Sequence, residues 1–574
     1  MLALFFSVGS GVLAAESPSP INKFGIHLAV PSDEDIARAA TLVNGQDGAY
    51  GYLTLVIHDD QRDVQYWQDV FNKLRRAKLI PIVRLATHPE GENWKAPSVD
   101  DAEGWASFLN SLNWVTQERH VILFNEPNHA AEWGGNVNAE QYGLVARAFV
   151  AKLKAASPDF VIMLAGLDLA APQALPTYGD AYTFLQNATS ALCRGRTQSA
   201  CSADIDAISS HAYPNPGFVG SPYDTGRTSI RGYEAEITWF KTFFGKEYPV
   251  YITETGWDSN KIAPTTVASY FQYAFTSVWL PDDRVRAVTP FILNYQGEPF
   301  LGFSFLDLST AQPKPQYTAI KNMQKVYGQP RVRDTALLVE RDNTLDLVES
   351  SRTPIFVTVT NTGQAVWETG LYALQAESTL NNVVGNTIIP FAVEPGRSIT
   401  LSLTLTTTAV PRDQKSDVTI AFRKIKDTPV RTIASLTKSI TIHEKPSARV
   451  TAQLFSKGLS TGSDFELQVF DERERLVFRQ KKFLITLGVG TIEGLPDVVP
   501  GKTYRFVLLK PYYLPRQIVQ KVVDGENALA FDTLVPLDFD EDGALTIGDV
   551  RGLFVQRAHR DMSFSQKFNL LLPF

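Results

Sequence analysis

The chain has 574 residues, 54 Lys and Arg against 61 Asp and Glu, and a formal net charge of −7. That is too long for one hydrophobic core, so several domains are expected. Apolar and charged fractions of 44% and 20% are those of globular protein, and the lack of any basic block in the sequence argues against nucleic acid as a partner.

Residues 1–15 are apolar and close on Val12-Leu13-Ala14-Ala15. The run falls short of the roughly 20 apolar residues that cross a bilayer. It reads as a secretory signal peptide, although no Lys or Arg precedes it. Ser17-Pro18-Ser19-Pro20 follows as a linker, so residues 1–20 are assigned to signal and linker. The expected location is secreted or extracellular, with attachment to a cell surface left open and no membrane span once the signal is removed. The two cysteines, Cys193 and Cys201, sit close together in a polar stretch. In an exported protein that suggests a local disulfide. Two free thiols are the other reading.

From 21 to 330 apolar strands alternate with amphipathic helices. Strands are expected at Lys23–Ala29, Tyr50–Ile57, Ile80–Leu85, Val121–Asn125, Phe160–Gly166, Ile205–Ala212, Val250–Thr253 and Ala287–Leu293. Helical periodicity marks Val64–Lys78, Ala102–Leu112, Ala139–Ala156, Gly232–Phe244 and Thr265–Leu280. This alternation predicts a parallel sheet. Eight repeats in this length fit a closed (β/α)8 TIM barrel better than an open sheet.

Beyond Gln329 the helical period disappears. Alternating runs at Ile355–Thr360, Ile399–Thr406, Val418–Phe422 and Ser439–Ile442, split by turns such as Asn361-Thr362-Gly363 and Pro395-Gly396, predict an all-β sandwich over 336–445. A second all-β module is expected over 446–536, with a turn and strand at Val499–Val507. In the last segment, 537–574, Asp538, Asp540, Asp542 and Asp549 occupy positions 1, 3, 5 and 12 of a loop whose sixth residue is Gly543. That is EF-hand-type spacing for Ca²⁺, with the Ala544 carbonyl and Thr546 as further ligands. An acidic surface turn is the simpler reading of the same residues.

The strand at Val121 ends in Asn125-Glu126-Pro127, because proline cannot donate to a sheet ladder. The strand at Val250 ends in Glu254, followed by Thr255-Gly256-Trp257. Being fourth and seventh in order, the two carboxylates can face each other across the mouth of a barrel, and glycosidic hydrolysis needs such a pair. His211 and Tyr213 lie two apart at the end of the sixth strand, on one face, and Arg84 ends the third. Trp94, Trp133 and Trp257 stand in loops at the same end, where each could stack on a sugar ring or simply pack a loop.

On Asn125-Glu126-Pro127, His211-x-Tyr213 and Glu254 in Ile-Thr-Glu-Thr-Gly-Trp, residues 21–328 resemble clan A of the retaining glycoside hydrolases. The resemblance implies Glu126 as acid/base and Glu254 as nucleophile. It also implies Asn125 on the sugar 2-hydroxyl, Tyr213 bonded to the nucleophile, and His211 and Arg84 tuning the carboxylates. The family's platform tryptophan after strand eight is replaced here by Asn294-Tyr295-Gln296, so Tyr295 takes that place or the platform is lost. Asn361-Thr362-Gly363 with Trp367 resembles immunoglobulin-like accessory modules. The acidic loop resembles one half of a dockerin, which would imply a cohesin-like partner, although dockerins carry two such loops. The expectation is thus a secreted retaining glycosidase acting on a polysaccharide or oligosaccharide, with no cofactor for catalysis and Ca²⁺ in the terminal loop. A catalytically silent, carbohydrate-binding barrel is the alternative, and a calcium-dependent adhesin is a third reading resting on the C-terminal half.

Overall fold

The computed structural model describes residues 22–44, 49–295, 297–340, 345–455, 458–459, 461–554 and 566. The expected signal and linker at 1–20, the position of Gln296 and most of the chain after 554 lie outside these residues. Two compact units divide the chain, 1–333 and 334–574.

Among the described residues of the first unit, eight barrel strands alternate with eight main helices. The strands are β1 Gly25–Leu28, β2 Gly51–His58, β3 Leu79–Ala86, β4 Arg119–Leu123, β5 Phe160–Leu164, β6 Ile208–His211, β7 Val250–Glu254 and β8 Val285–Val288. The helices that follow them in turn are α1 Asp33–Val43, α2 Val64–Arg76, α3 Asp101–Ser111, α4 Ala139–Ala156, α5 Ala181–Leu192, α6 Gly232–Phe244, α7 Pro264–Tyr273 and α8 Pro315–Lys321. Strands β1 to β5 pair in parallel in chain order, as do β6 to β8. Parallel bridges Met163–Ala207 and Phe24–Val288 join the two sets at both edges, so the sheet closes on itself.

The strand sequences explain this layering. Successive residues point to opposite faces, and both faces are buried, hence the unbroken apolar runs. Leu53, Leu55, Val83, Val121, Leu123 and Ile252 pack with the helices. Their neighbours Tyr52, Ile82, Ile122, Met163, Tyr251 and Ala287 form a separate inner cluster. Helix ends follow local chemistry: the Asp63 carboxylate accepts from Tyr66 N–H at 2.7 Å at the start of α2, and α6 stops at Gly245 with φ 73°. Cys193 and Cys201 form a disulfide after α5.

Boundaries shifted by a few residues at several strands, for example Ile205–Ala212 to Ile208–His211, and most in two places. β8 ends at Val288 rather than continuing to Leu293, because Pro290 has no N–H for the ladder. The stretch expected as one helix over Thr265–Leu280 becomes α7 and then a π turn, Ala274–Trp279. Helices α1, α5 and α8 lie between the expected strands but outside the stretches named from periodicity.

The second unit is all β among its described residues until a last short helix. Its first part is an eight-stranded sheet including Arg352–Asn361, Tyr372–Ser378, Ser398–Thr407, Gln414–Lys424 and Arg431–His443. It closes over a core in which Trp367 is fully buried and donates from Nε1 to Asp334 at 3.0 Å. A second core gathers Phe465, Leu467, Phe506 and Leu529 between a three-stranded and a four-stranded sheet. The acidic loop from Asp538 leads into helix Ile547–Phe554.

Candidate active site

The carboxyl ends of the barrel strands surround a cavity of about 600 Å³. After β4 the chain turns sharply. Phe124 and Glu126 take φ of 73° and 28°, a region that side-chain-bearing residues seldom occupy. The turn is held by Glu126 N–H to Gly166 O at 3.2 Å and His129 N–H to Glu126 O at 2.8 Å. It aims the Glu126 carboxylate into the cavity, where its Oε1 lies 2.8 Å from His211 Nδ1. Gly166, at the end of β5, makes room for that contact: a Cβ there would lie 2.2 Å from the His211 ring.

Glu254 ends β7 with its side chain almost wholly buried. Arg84 Nη1 donates to its Oε1 and also to Asn125 Oδ1, the latter at 2.8 Å. Tyr213 OH donates to Oε2 at 3.0 Å. Burial alone would raise the Glu254 carboxyl, but His211, Arg84 and His27 with the Tyr213 bond hold it well below the usual carboxylate range. His211 is itself pushed up, since Glu254 and Glu126 outweigh the burial that opposes its charge. Oxygens of Glu126 and Glu254 and a ring nitrogen of His211 all lie within 4.8 Å of one another. Of the residues expected from sequence, Glu126, Glu254, Asn125, Arg84, His211 and Tyr213 converge in one place.

The aromatic expectations divide. Trp257 is 1% exposed and does not line the cavity; its Nε1 donates to Gly220 O at 2.8 Å and its ring packs on Tyr270 and Phe271. It is loop core, which corrects its expected sugar contact. Trp133 lines the cavity as a buried wall, edge-on to Phe124 and bonded to Gln141. Trp94 is half-buried on the rim, 5.3 Å edge-on from His58. Tyr295 also lines the cavity, edge-on to Phe300, which in turn packs on Phe291.

Sequence reasoning missed four cavity residues. Glu132, in the short turn Ala130–Glu132, is a third carboxylate; burial and then the charge of Glu126 push it up to about 7. His129 pairs with Asp168, 2.9 Å from Nε2 to Oδ2. His27, on β1, is buried beside Glu254. None belongs to a motif. The signal available was an ionisable residue at or just past the end of an apolar strand, which His27 and Asp168 both satisfy.

The first unit is therefore a closed parallel α/β barrel with a carboxylate pair at the carboxyl ends of its strands. No family model matches the chain, and no curated protein matches it. Among solved structures it is similar to an endo-β-1,4-glucanase from Xanthomonas axonopodis pv. citri, at 13% identity over 52% of this chain and 98% of that one, with a TM-score of 0.38. It is similar to an endo-1,4-β-mannanase from Rhizomucor miehei at 10% identity over 54% and 97%, TM-score 0.33. A β-glucuronidase from Parabacteroides merdae matches at 8% over 87% and 61%, TM-score 0.32. Similarity this low leaves the chemistry to be argued from the residues of the cavity.

Proposed function

We propose that this chain is a retaining glycoside hydrolase that cleaves β-glycosidic bonds of a polysaccharide or oligosaccharide. The observation that carries the reading is the spacing of Glu126 and Glu254, with carboxylate oxygens within 4.8 Å across a sugar-sized cavity. Retaining pairs stand roughly 5–5.5 Å apart and inverting pairs about 6.5–9.5 Å, to admit a water between them.

Glu254, kept ionised by Arg84, His211 and Tyr213, attacks the anomeric carbon. The bond to the leaving oxygen breaks as that oxygen takes the proton of Glu126, and a glycosyl ester forms on Glu254. Glu126, now a carboxylate beside His211, removes a proton from water as the water oxygen attacks the same carbon. The ester bond breaks, Glu254 is regenerated, and configuration is retained overall. Product release from β-glucan, mannan, xylan and aryl β-glycosides tests this. A wild type inert on all of them but retarded by one polysaccharide in an affinity gel would replace it with the binding-scaffold reading.

The disulfide Cys193–Cys201 suits secretion into an oxidising compartment. In the second unit we assign the terminal loop to Ca²⁺. Oxygens of Asp538, Asp540 and Asp549 lie within 4.8 Å of one another. Burial, and then the charges of Asp549, Asp542 and Asp540, push the Asp538 carboxyl up, a repulsion that a bound cation would relieve. Asp542 caps Ala544 N–H at 2.9 Å, and Asp549 accepts from Phe539 and Thr546 N–H; Asp542, Thr546 and the Ala544 carbonyl would complete the set. Saturating Ca²⁺ should stabilise the second unit by about 2–4 kcal/mol and raise its melting temperature by roughly 5–10 °C. Chelation should reverse the shift, and Asp549→Ala should abolish it, in calorimetry with and without EDTA. The immunoglobulin-like resemblance of 336–445 suits an accessory role, and a cohesin-like partner for the loop is tested by pull-down with and without Ca²⁺.

A further inference from the structure

Apart from the cavity at the strand ends, a second opening of about 320 Å³ lies between α4, α5 and the loop that follows β5. Ligand pockets begin at about that size. On α5, Thr183, Asn187 and Ser190 recur at helical spacing, so they share one face and line this groove together. Asn187 and Ser190 are exposed, and neither side chain has a hydrogen-bond partner among the described residues. On the loop, the Gln173 amide oxygen accepts from Asp180 N–H at 2.8 Å, which anchors the amide and leaves its N–H donors uncommitted. Arg194 pairs with Glu140 at 2.7 Å, and these are the groove's two charged residues, so their charges cancel.

The lining therefore offers neutral donors and acceptors and no net charge. Such a surface selects neither an anion nor a cation. It matches a ligand covered in hydroxyls, each able to donate one bond and accept two. Leu175, 61% exposed, adds apolar surface of the kind that the C–H face of a sugar ring covers.

One segment ties the groove to the active site. Asp168 and Ala170, where the loop begins, line the active-site cavity, and Gln173, Leu175 and Gly179, further along it, line the groove. Tyr178 stands between the two, 38% exposed. Its ring meets that of His129, a cavity residue, edge-on at 5.0 Å, and its chain neighbour Gly179 belongs to the groove.

We propose that this groove binds a sugar unit of the same polymer whose scissile bond lies at Glu126 and Glu254, the chain passing over Tyr178. The proposal rests on the glycosidase reading above and narrows its substrate to a neutral polysaccharide long enough to occupy both openings. An aryl monoglycoside fills only the first. Contacts in the groove are made equally before and during reaction, so they act on KM more than on kcat.

The test uses the full chain as wild type, Asn187→Ala and Ser190→Trp. The first removes an uncommitted amide from an exposed helix position; the second fills the groove. Each is assayed on an aryl β-glycoside and on whichever of β-glucan, mannan or xylan the wild type hydrolyses, with melting temperatures to confirm folding. For the polymer, KM should rise about 3–10-fold in Asn187→Ala, the range for one hydrogen bond, and about tenfold or more in Ser190→Trp. For the aryl glycoside, kcat/KM should stay within about twofold. In affinity gels containing the same polymer, both variants should be retarded less than the wild type. Unchanged polymer KM in both variants, or equal losses on polymer and aryl glycoside, would overturn the groove while the enzyme reading stands. A wild type inert on every glycoside removes the enzyme reading instead. The gels then decide the groove: weaker retardation of both variants by one of the three polysaccharides supports it, and equal migration of all three proteins overturns it.

Discussion

Glu254→Gln is expected to reduce kcat by about four orders of magnitude or more, the scale seen when a covalent nucleophile is removed. The amide keeps the size of the carboxylate and one acceptor, so Arg84 can still donate to the amide oxygen, while the Tyr213 hydroxyl must turn to accept from the amide NH2. Attack at the anomeric carbon needs the negative charge, which the variant lacks. In Glu254→Ala, which vacates that space, added azide should restore part of the rate and give a glycosyl azide of inverted configuration, because a small anion can enter from the face that Glu254 occupied. Glu126→Gln should behave differently: aryl glycosides with good leaving groups keep much of their first step, and an ester on Glu254 accumulates. Mass spectrometry of the intact chain would detect that ester. A Glu254→Gln variant that stays active without azide would remove Glu254 from the nucleophile role, and the carboxylate spacing would then need another account.

The barrel was legible because its signals are local. Apolar runs such as Val121-Ile122-Leu123 exist only where a strand is buried on both faces, and each of the eight expected strands has a counterpart. Strand ends were less legible where the ladder breaks off, as after Val288, where Pro290 interrupts β8 although Leu293 N–H still reaches His27 O on the neighbouring β1. In the site, Glu126, Glu254, Arg84, His211 and Tyr213 could be found because each stands at the end of such a run, and strand order alone brings them together. Trp257 was misread because an aromatic after Glu254-Thr-Gly carries no information about which way its ring turns. Its indole N–H finds Gly220 O, on the loop after β6, a partner fixed by packing rather than by sequence spacing. Glu132 and His129 depend on the positive-φ turn at Glu126, which places the following residues back over the cavity. Gly166 likewise has meaning only once His211 is seen against it.

Arg84 should give the second large effect. Its Nη1 serves both Asn125 and Glu254, so one cation fixes the amide and the nucleophile together. Arg84→Met should lower kcat/KM by about 10²–10³-fold, the range for removing one preorganised charged donor. Arg84→Lys should recover little, because an ammonium cannot reproduce the planar fork. The pH dependence gives a separate check. Glu254 must be ionised to attack, so activity is present above its folded pKa and lost as pH falls through it. In the wild type that value is depressed, against the opposing burial, by His211, Arg84 and His27. Taking Arg84 away lets burial raise it, so the acid limb of the kcat/KM profile should move to higher pH and the loss should be larger at pH 5 than at pH 8. Stability follows the same sign. A carboxyl depressed on folding stabilises the barrel above its unfolded value of about 4.3, and that contribution is lost as pH falls below it toward the folded value. The melting temperature of the wild-type barrel should therefore fall between pH 5 and pH 3, and the part due to Glu254 should shrink in Arg84→Met. If the acid limb stays where it is while the rate drops, Arg84 serves to hold Asn125, and the charge of Glu254 is kept by His211 and Tyr213 alone.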